Sequence, residues 1–589
     1  MKKFIAILLA ALMVMSLAAC GGKTTGTAGG NDGSAAKALV SANFIDPVGG
    51  WTKYDELIDS IKSETDTAKR TKMMHDAEDI LMSNYCVIPL YYYNDIYLQK
   101  DYVSGVYSNA FATKFFMYTK MANGADTLKI NLSSEPDYLD PALNSSVDGA
   151  CLAANSFSGL YTYNEAGQTV GACATGYDLS EDGCTYTVHL RDGLKWSDGS
   201  ALTAEDFVYS WQRAALLSTA ADYQYMYSGF DGYSDEEDSL INVVALDANT
   251  LQFVLTAPCA YMEDLMAFPT FYPVHKATVE AKATADAPGA WCQEAGFVSN
   301  GAYICTGWTH DVSMTYEKNP YWYDAANVTV DTIEFMLSAD DTAIYAAYNA
   351  GNLDFADSVP TDEVASLLDN PEFHIVDELG TYYVAFNCKS SMFDGKTPEQ
   401  AACMREAFSI LVDRDYICEN IGQTGQIAAN AFIPDGLADG NGGVFKSEVT
   451  SQGYYDPYGI NNDKEGTVKK AIELLEAAGF EFKDGKLSDK TPIHIDYLTN
   501  ESSGHIAVAE SMQQDFSEVG ITMSIQTQDW NVFLEERKNG NFDIAREGWI
   551  ADFNDPLNML EMWITNSGNN DCQYGRYEGW EADFGVTAE

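Results

Sequence analysis

Basic residues are scarce in this sequence. The chain has 34 Lys and Arg residues against 87 Asp and Glu residues, and its formal net charge at pH 7 is −53. A surface of this charge repels nucleic acid and anionic lipid, so we expect no nucleic-acid partner. Most acidic surface is simply a solvated face, and the alternative interpretation is that it attracts basic ligands.

Motifs of catalysis and cofactor binding are lacking. The sequence contains no C-x-x-C, H-E-x-x-H, G-x-S-x-G, P-loop or G-x-G-x-x-G, and its seven histidines are isolated. The sequence therefore predicts that the protein is not an enzyme and has no metal site or cofactor. Cys173 and Cys184 flank a predicted turn, and whether they form a disulfide stays open.

The chain begins with one long apolar run, and the rest of the sequence contains no second run of that kind. The charged start "MKK" and the run "FIAILLAALMVMSLAA" are typical of a signal peptide over residues 1–20. "LAAC" resembles a bacterial lipobox, which implies cleavage before Cys20 and a diacylglyceryl anchor on that residue. An ordinary signal with an incidental cysteine is the alternative. Residues 21–50 begin with a Gly/Ser/Thr/Ala-rich stretch and are predicted to be a flexible tether.

The rest of the chain is long enough for two or three domains and predicts an α/β fold. Strand and helix patterns alternate over 493–556, as in parallel βαβ units. Residues 54–93 predict two helices, the second capped by Asp66 and carrying Met73, Ala77, Ile80 and Leu81 on one face, followed by a buried strand. Thr203 and Asp206 have the spacing of a capping box. Residues 404–421 predict one helix.

Several stretches together resemble one protein family. They are "SEPDYLDPAL", "LKWSDGSALTAEDFVYSWQR", "SNGAY", "EKNPYW", "YNAGNLDF", "REAFSILVDRDYI" and "FDIAREGWIADFNDP". They are similar to oligopeptide-binding proteins of peptide ABC importers, the family 5 extracellular solute-binding proteins. The resemblance implies a type II periplasmic-binding-protein clam of two lobes with an extra domain. It implies domain I at 86–154 and 277–372, domain II at 155–276, domain III at 51–85 and 373–575, and a divergent tail at 576–589.

The order of these stretches differs from the family pattern. In the family, the segment that resembles residues 53–120 here follows the "ADFNDP" stretch. We therefore expect a circular permutation, with the old termini joined near "MANGAD" and new termini near Lys53 and Gly575. Permutation is tolerated where chain ends are close together on the surface. A fusion of tandem genes or an assembly error is the alternative.

The resemblance assigns charged residues to the ligand. Asp552 in "GWIADFNDP" matches the family aspartate that pairs with the ligand α-amine. Without the family, a turn-forming aspartate is an equally good interpretation. Arg537 and Arg546 match arginines near the cleft that can meet a ligand carboxylate. Arg546 is the stronger candidate because it lies on the same segment as Asp552.

The resemblance also assigns backbone contacts. Gly548, Trp549 and Ile550 match a segment whose backbone pairs with the peptide, as an added β-strand does. Val147 and neighbouring Ser145 match the facing segment of domain I. Position 550 is often cysteine in relatives, so a disulfide there is not expected.

Two aromatic residues complete the predicted site. Tyr223 matches a tyrosine that lines the cleft, and Trp530 matches a tryptophan that walls a side-chain pocket. For both, core packing is the alternative. The resemblance implies a monomeric, extracytoplasmic, lipid-anchored receptor that binds short peptides and delivers them to an ABC permease. A nickel chelate, haem or sugar as ligand, or a peptide sensor without transport, are alternatives.

Overall fold

Two β-sheets of unequal size, with helices packed around them, organise the chain. The computed structural model describes residues 33–132, 135–440, 443–446 and 463–580. No helix in these ranges is long and apolar enough to cross a bilayer. The predicted signal peptide and Cys20 lie outside the described residues, as do residues 581–589 of the predicted tail.

The strands of the described residues vary from two to fourteen residues in length. In chain order they are β1 (Val87–Gln99), β2 (Val103–Ser104), β3 (Tyr107–Ser108), β4 (Lys114–Phe115), β5 (Lys120–Met121), β6 (Thr127–Asn131), β7 (Tyr161–Tyr163), β8 (Thr169–Gly171), β9 (Ala174–Leu179), β10 (Thr185–Leu190), β11 (Val243–Asp247), β12 (Thr250–Val254), β13 (Tyr303–Thr309), β14 (Ser313–Lys318), β15 (Thr332–Met336), β16 (Phe355–Ala356), β17 (Phe373–Phe386), β18 (Phe482–Lys483), β19 (Lys486–Leu487), β20 (His494–Asn500), β21 (Thr522–Gln528) and β22 (Ile544–Ile550).

Helices cover both sheets. The α-helices of the described residues are α1 (Ser34–Lys37), α2 (Thr52–Ser63), α3 (Thr67–Ser83), α4 (Val147–Ser156), α5 (Ala204–Ala215), α6 (Met262–Ala267), α7 (Lys276–Lys282), α8 (Asp341–Asn349), α9 (Thr361–Leu367), α10 (Pro398–Leu411), α11 (Arg414–Tyr416), α12 (Lys464–Ala477), α13 (Ser503–Ser517), α14 (Trp530–Lys538) and α15 (Leu557–Glu561). Short 3-10 helices span Leu217–Thr219, Gln224–Tyr227, Pro269–Phe271, Ala290–Cys292, Ala325–Asn327 and Ser391–Phe393, and a π-helical turn spans Ile417–Gly422.

The larger sheet is mixed and has the strand order β13-β14-β15-β6-β16-β1-β17-β22-β20-β21. Its two longest strands, β1 and β17, lie side by side between the two halves of the sheet. β20 pairs in parallel with both β21 and β22, which confirms the predicted βαβ units and the α/β class. The four-stranded sheet β11-β12-β10-β9 lies wholly within residues 155–276.

The N-terminal segment is built into the larger sheet. β1 pairs antiparallel with β17 along most of its length and with β16 at its end. α2 and α3 begin and end close to their predicted positions, and the Asp66 carboxylate caps α3 by accepting from the Lys69 amide at 2.9 Å. Of the residues predicted for one face of α3, Ala77 and Leu81 are fully buried, and Met73 and Ile80 are partly buried against the core. The buried face also includes Met74, which was not predicted.

The two ends of the expected permutation lie beside each other. The Gly575 amide donates to the Pro47 carbonyl at 2.8 Å, and the rings of Trp51 and Tyr574 stack 3.9 Å apart. The stretch 121–126, "MANGAD", is a largely exposed connection between β5 and β6. Residues 51–120 therefore pack with the rest of the chain and do not form a separate unit.

Three expectations about local structure need comment. The capping box is confirmed, because the Thr203 amide donates to Asp206 Oδ2 at 2.8 Å. The single helix over 404–421 is wrong: α10 ends at Leu411, and Asp413 starts a new turn by accepting from the Tyr416 amide. A Cys173–Cys184 disulfide is not formed, since both thiols are free.

The flexible tether predicted for residues 21–50 extends too far along the chain, because part of this segment is folded. Within residues 21–50, the described part begins at residue 33 and includes α1, where Ala36 is completely buried. The Ala36 carbonyl accepts from Cys403 Sγ at 3.8 Å, so this segment rests on α10. Its small apolar residues favoured the tether interpretation, but they also pack closely against a helix.

Candidate ligand-binding cleft

Strand β22 offers a partly unpaired edge. On one side it pairs with β17 over its whole length, from Phe386↔Ile544 to Gly380↔Ile550. On the other side β20 reaches only Ile544 and Ala545. Within the described residues, the backbone of 546–550 therefore has no strand neighbour on that side. An extended chain can add to such an edge through main-chain hydrogen bonds.

The N-terminus of helix α4 forms the facing wall. Ser146 caps this helix by accepting from the Gly149 amide at 3.3 Å. Val147, the first helical residue, is 42% exposed although it is apolar. Two adjoining cavities of about 90 and 330 Å³ lie between this wall and the β22 edge. Six residues belong to the lining of both cavities: Ser145, Ser146, Val147, Gly548, Trp549 and Ile550.

Asp552 lies in the wall of the smaller cavity. Its carboxylate accepts hydrogen bonds from Asn558 Nδ2 at 2.9 Å and from the Tyr223 hydroxyl at 3.3 Å. Burial raises the pKa of Asp552 to about 7, with a smaller contribution from the charge of Glu561. No Lys or Arg nitrogen of the described chain lies within 4.0 Å of this carboxylate. Within the described residues, the Asp552 carboxylate therefore has two side-chain hydrogen-bond donors but no cation.

Asn558 holds the loop that carries Asp552. Its Oδ1 accepts from the Asp552 amide and from Trp549 Nε1, both at 3.0 Å. Trp549 is buried, with its ring 6.1 Å from that of Tyr223. Tyr223 in turn packs edge-on against Phe268 at 5.0 Å. Tyr223 thus lines the cavity and contributes to the core, so both interpretations of this residue apply.

The larger cavity contains Arg546 and Trp530. The Arg546 guanidinium lies over the rings of Tyr382 at 5.5 Å and Trp530 at 6.0 Å. Its Nε has no hydrogen-bond partner within the described residues, and no carboxylate of those residues is within 4.0 Å. Trp530 also packs on Phe533 at 5.7 Å. Arg546 is therefore a half-buried cation without an anionic partner in the described residues.

Arg537 lines the same cavity but is already paired. Its guanidinium contacts Glu547 and Asp571, each at 2.8 Å, and both acids are almost fully buried. The two carboxylates hold the pKa of Arg537 above its usual range. A contact between Arg537 and a ligand stays a prediction. The ion pairs with Glu547 and Asp571 give Arg537 a structural role whether or not it contacts a ligand.

One ion pair beside Ser145 of the cleft was not predicted from the sequence. Lys538 Nζ lies 2.5 Å from Asp222 Oδ2 and 3.2 Å from Ser145 Oγ. The Ser145 hydroxyl donates to the same carboxylate at 2.8 Å. The three residues come from distant parts of the chain, and no local sequence pattern indicates that they meet.

All ten predicted ligand-binding residues line the two cavities. Ser145, Val147, Gly548, Trp549 and Ile550 line both, whereas the others line one each: Tyr223 and Asp552 the smaller, and Trp530, Arg537 and Arg546 the larger. Their contacts with a ligand stay predictions. No group of three or more His, Cys, Asp and Glu residues in the described ranges is arranged to hold a metal ion.

Comparison with known proteins shows which family this sequence matches. The sequence model of "Bacterial extracellular solute-binding proteins, family 5 Middle" matches residues 168–571. The oligopeptide-binding protein OppA of Bacillus subtilis is 31% identical over 476 residues, which cover 78% of this chain and 81% of that protein. The murein peptide-binding protein MppA of Escherichia coli is 30% identical over 454 residues, 74% of this chain and 78% of that protein.

Solved structures agree with the sequence matches. The E. coli murein tripeptide-binding protein MppA superposes with a TM-score of 0.66 at 26% identity, covering 79% of this chain and 87% of that one. Haemophilus influenzae OppA in complex with RPPGFSPFR gives a TM-score of 0.66 at 25% identity, covering 79% and 88%. The fold is thus the clam-like type II architecture of this group. The chain belongs to the bacterial extracellular solute-binding proteins of family 5, which are binding proteins and not enzymes.

Proposed function

We propose that this protein binds short peptides between the two walls of the cleft and delivers them to an ABC permease. One observation carries the proposal. The Asp552 carboxylate is held by Asn558 and Tyr223 without a cation, directly after the unpaired edge at 546–550. A free α-amine and an extended backbone are the two features that all unmodified peptides share.

Each part of a peptide has a complementary group in the cleft. Asp552 pairs with the α-amine, and the backbone of 546–550 adds main-chain hydrogen bonds as in β-augmentation. Arg546 pairs with the ligand carboxylate, because its guanidinium, unlike that of Arg537, has no carboxylate within 4.0 Å in the described residues. Side chains enter the larger cavity of about 330 Å³, where water fills the space that they leave.

The relatives of this protein support a peptide ligand. The B. subtilis relative is an oligopeptide-binding protein, and the H. influenzae structure holds the nonapeptide RPPGFSPFR. Both relatives match more than three quarters of this chain, and the family model at residues 168–571 includes Asp552 and the strand edge at 546–550. No feature of the cleft favours nickel, haem or sugar as the ligand.

The proposal includes location and chain order. We propose that Cys20 carries a lipid anchor outside the cytoplasm and that the chain order is circularly permuted relative to the family. In support of the permutation, β1 lies between β16 and β17 in the centre of the large sheet. The family match begins only at residue 168, after this segment. Permutation attaches the anchor next to domain III and not to domain I, which changes how the cleft faces a membrane partner.

Native mass spectrometry of purified protein tests the proposed ligand class. Receptors that enclose a ligand often retain it, so we expect adducts whose masses match short peptides. The same protein, unfolded, dialysed and refolded, should lose the adducts and regain them from a peptide mixture. A nickel chelate, haem or sugar adduct instead of peptide would contradict the proposal.

A further inference from the structure

A second charged feature of the larger cavity is not explained by the binding of peptide termini. Lys114 Nζ, on β4, contacts Asp95 Oδ2 and Asp357 Oδ1, each at 2.9 Å, and its side chain is only 3% exposed. Glu378 on β17 lines the same cavity. We call Asp95, Asp357, Glu378 and Lys114 the acidic pocket. Three carboxylates against one ammonium leave an excess of negative formal charge.

Glu378 has no partner of its own. The residue is 8% exposed, and its Oε1 atom is buried without a hydrogen-bond donor from any described part of the chain. A buried carboxylate without a partner costs several kcal/mol unless a cation or a proton compensates it. In the ligand-free cleft, burial raises the pKa of Asp357 to about 7 and that of Glu378 well above its usual range. Both shifts favour the protonated form of these carboxyl groups where no cation is close.

A β-bulge directs Glu378 into the cleft. The pairing of β1 with β17 shifts from Tyr92↔Thr381 to Asn94↔Asp377, so Tyr93 alone faces three residues, 378–380. The Leu379 amide donates to the Ala110 carbonyl, outside the β1–β17 ladder. Bulges re-aim side chains and are common next to functional sites. The neighbour Asp377 is exposed, whereas Glu378 is buried.

The pocket lies within reach of the free strand edge. The cavity that contains Glu378 is also lined by Gly548, Trp549 and Ile550. A peptide paired with that edge points alternate side chains to opposite sides, and one set can enter this cavity. The net charge of −53 also attracts cationic ligands over longer distances.

We propose that the acidic pocket takes the cationic end of a Lys or Arg side chain of the bound peptide, and that Glu378 selects for it. This inference rests on the proposed function. It assigns a ligand class, peptides with a basic residue at one defined position. Asp552 keeps the α-amine, so the two sites recognise different cations of one ligand.

Calorimetry with matched peptides tests the inference. Ligand-free protein is titrated with alanine-based tetrapeptides that carry lysine or its uncharged analogue norleucine at each position in turn. We expect lysine to bind at least about tenfold more tightly than norleucine at one position. In Glu378→Gln the Kd values of the lysine and norleucine peptides should differ by less than about threefold at that position. Asp377→Asn, the exposed neighbour on the same strand, should keep the wild-type ratio.

The possible outcomes separate the two proposals. If all peptides bind wild type but lysine and norleucine bind equally at every position, the inference fails and the proposed function stands. If no peptide binds, the proposed function fails. N-acetylated lysine peptides should retain the dependence on Glu378. If acetylation abolishes that dependence, the pocket holds the α-amine and the inference is overturned. The wild-type comparison decides the matter even if Glu378→Gln does not fold.

Discussion

The charges of the cleft fall into two regions. On α14, Arg537 is paired with Glu547 and Asp571 at 2.8 Å each. Along β22 and the loop after it, Arg546 and Asp552 have no oppositely charged partner within 4.0 Å in the described residues. The charges of the first region are paired within the protein, whereas those of the second are the ones that we propose a ligand pairs with. Arginines nine positions apart are therefore expected to play different roles.

Arg537→Ala should give the largest effect on stability. The substitution leaves Glu547 and Asp571 buried without a cation, and loss of one partner of a buried pair costs about 3–5 kcal/mol. We expect the free energy of unfolding, measured by urea denaturation, to fall by that amount. Lys490→Ala removes the exposed pair with Glu481 and should cost about 0–1 kcal/mol. If Arg537→Ala and Lys490→Ala have the same free energy of unfolding, the ion pairs of Arg537 do not stabilise the protein more than an exposed pair does, and the difference between the two regions is lost.

Arg546→Gln should act on affinity instead. A hydrogen bond to a charged group contributes about 1.5–3 kcal/mol, or roughly 10- to 150-fold in Kd. We expect weaker binding of a peptide with a free carboxylate and little change for the same peptide amidated at its C-terminus, both measured by calorimetry. The free energy of unfolding of ligand-free protein should change by less than about 1 kcal/mol. A similar loss for both peptides would show that Arg546 does not meet the carboxylate.

The pH dependence of affinity should be the smallest effect. The pKa of Asp552 in the ligand-free cleft is about 7, raised by burial from an ordinary 3.8. The carboxyl must lose its proton before it pairs with an ammonium, so affinity falls as pH falls through 7. For a peptide without basic side chains we expect about fivefold weaker binding at pH 6 than at pH 7. In Asp552→Asn, affinity should not fall between pH 7 and pH 6 for this reason. If the variant and the wild type show the same dependence of affinity on pH, Asp552 is not the group that pairs with the α-amine.

Local parts of the fold could be predicted from the sequence. Helices α2 and α3, the capping box at Thr203 and the βαβ units over 493–556 depend on periodicity and cap residues within one segment. The motif "GWIADFNDP" led to the residues that line the cleft. The prediction was wrong where distant contacts decide. The helix predicted over 404–421 ends at Leu411, and just beyond this end the buried Nε of Arg414 donates to the Pro89 carbonyl, 325 positions away.

The partners of charged residues could not be predicted for the same reason. The sequence predicts both Arg537 and Arg546 as cations near the cleft and favours Arg546 only because it shares a segment with Asp552. Only the folded chain brings Glu547 and Asp571 to Arg537. The bulge that buries Glu378 depends on the register between β1 and β17, which are almost 300 residues apart in the chain. Local patterns identify candidate residues, whereas tertiary contacts determine which charges remain unpaired.

The central claim is that Asp552 pairs with the α-amine of a peptide. Calorimetry on wild type and Asp552→Ala, each with a peptide and its N-acetylated form, tests this pairing most directly. Loss of a buried partner should weaken binding of the free peptide by about 3–5 kcal/mol, roughly two to three and a half orders of magnitude in Kd. Acetylation should weaken binding to wild type strongly and to Asp552→Ala much less. If Asp552→Ala binds the free peptide within a few fold of wild type, the account of this cleft is wrong.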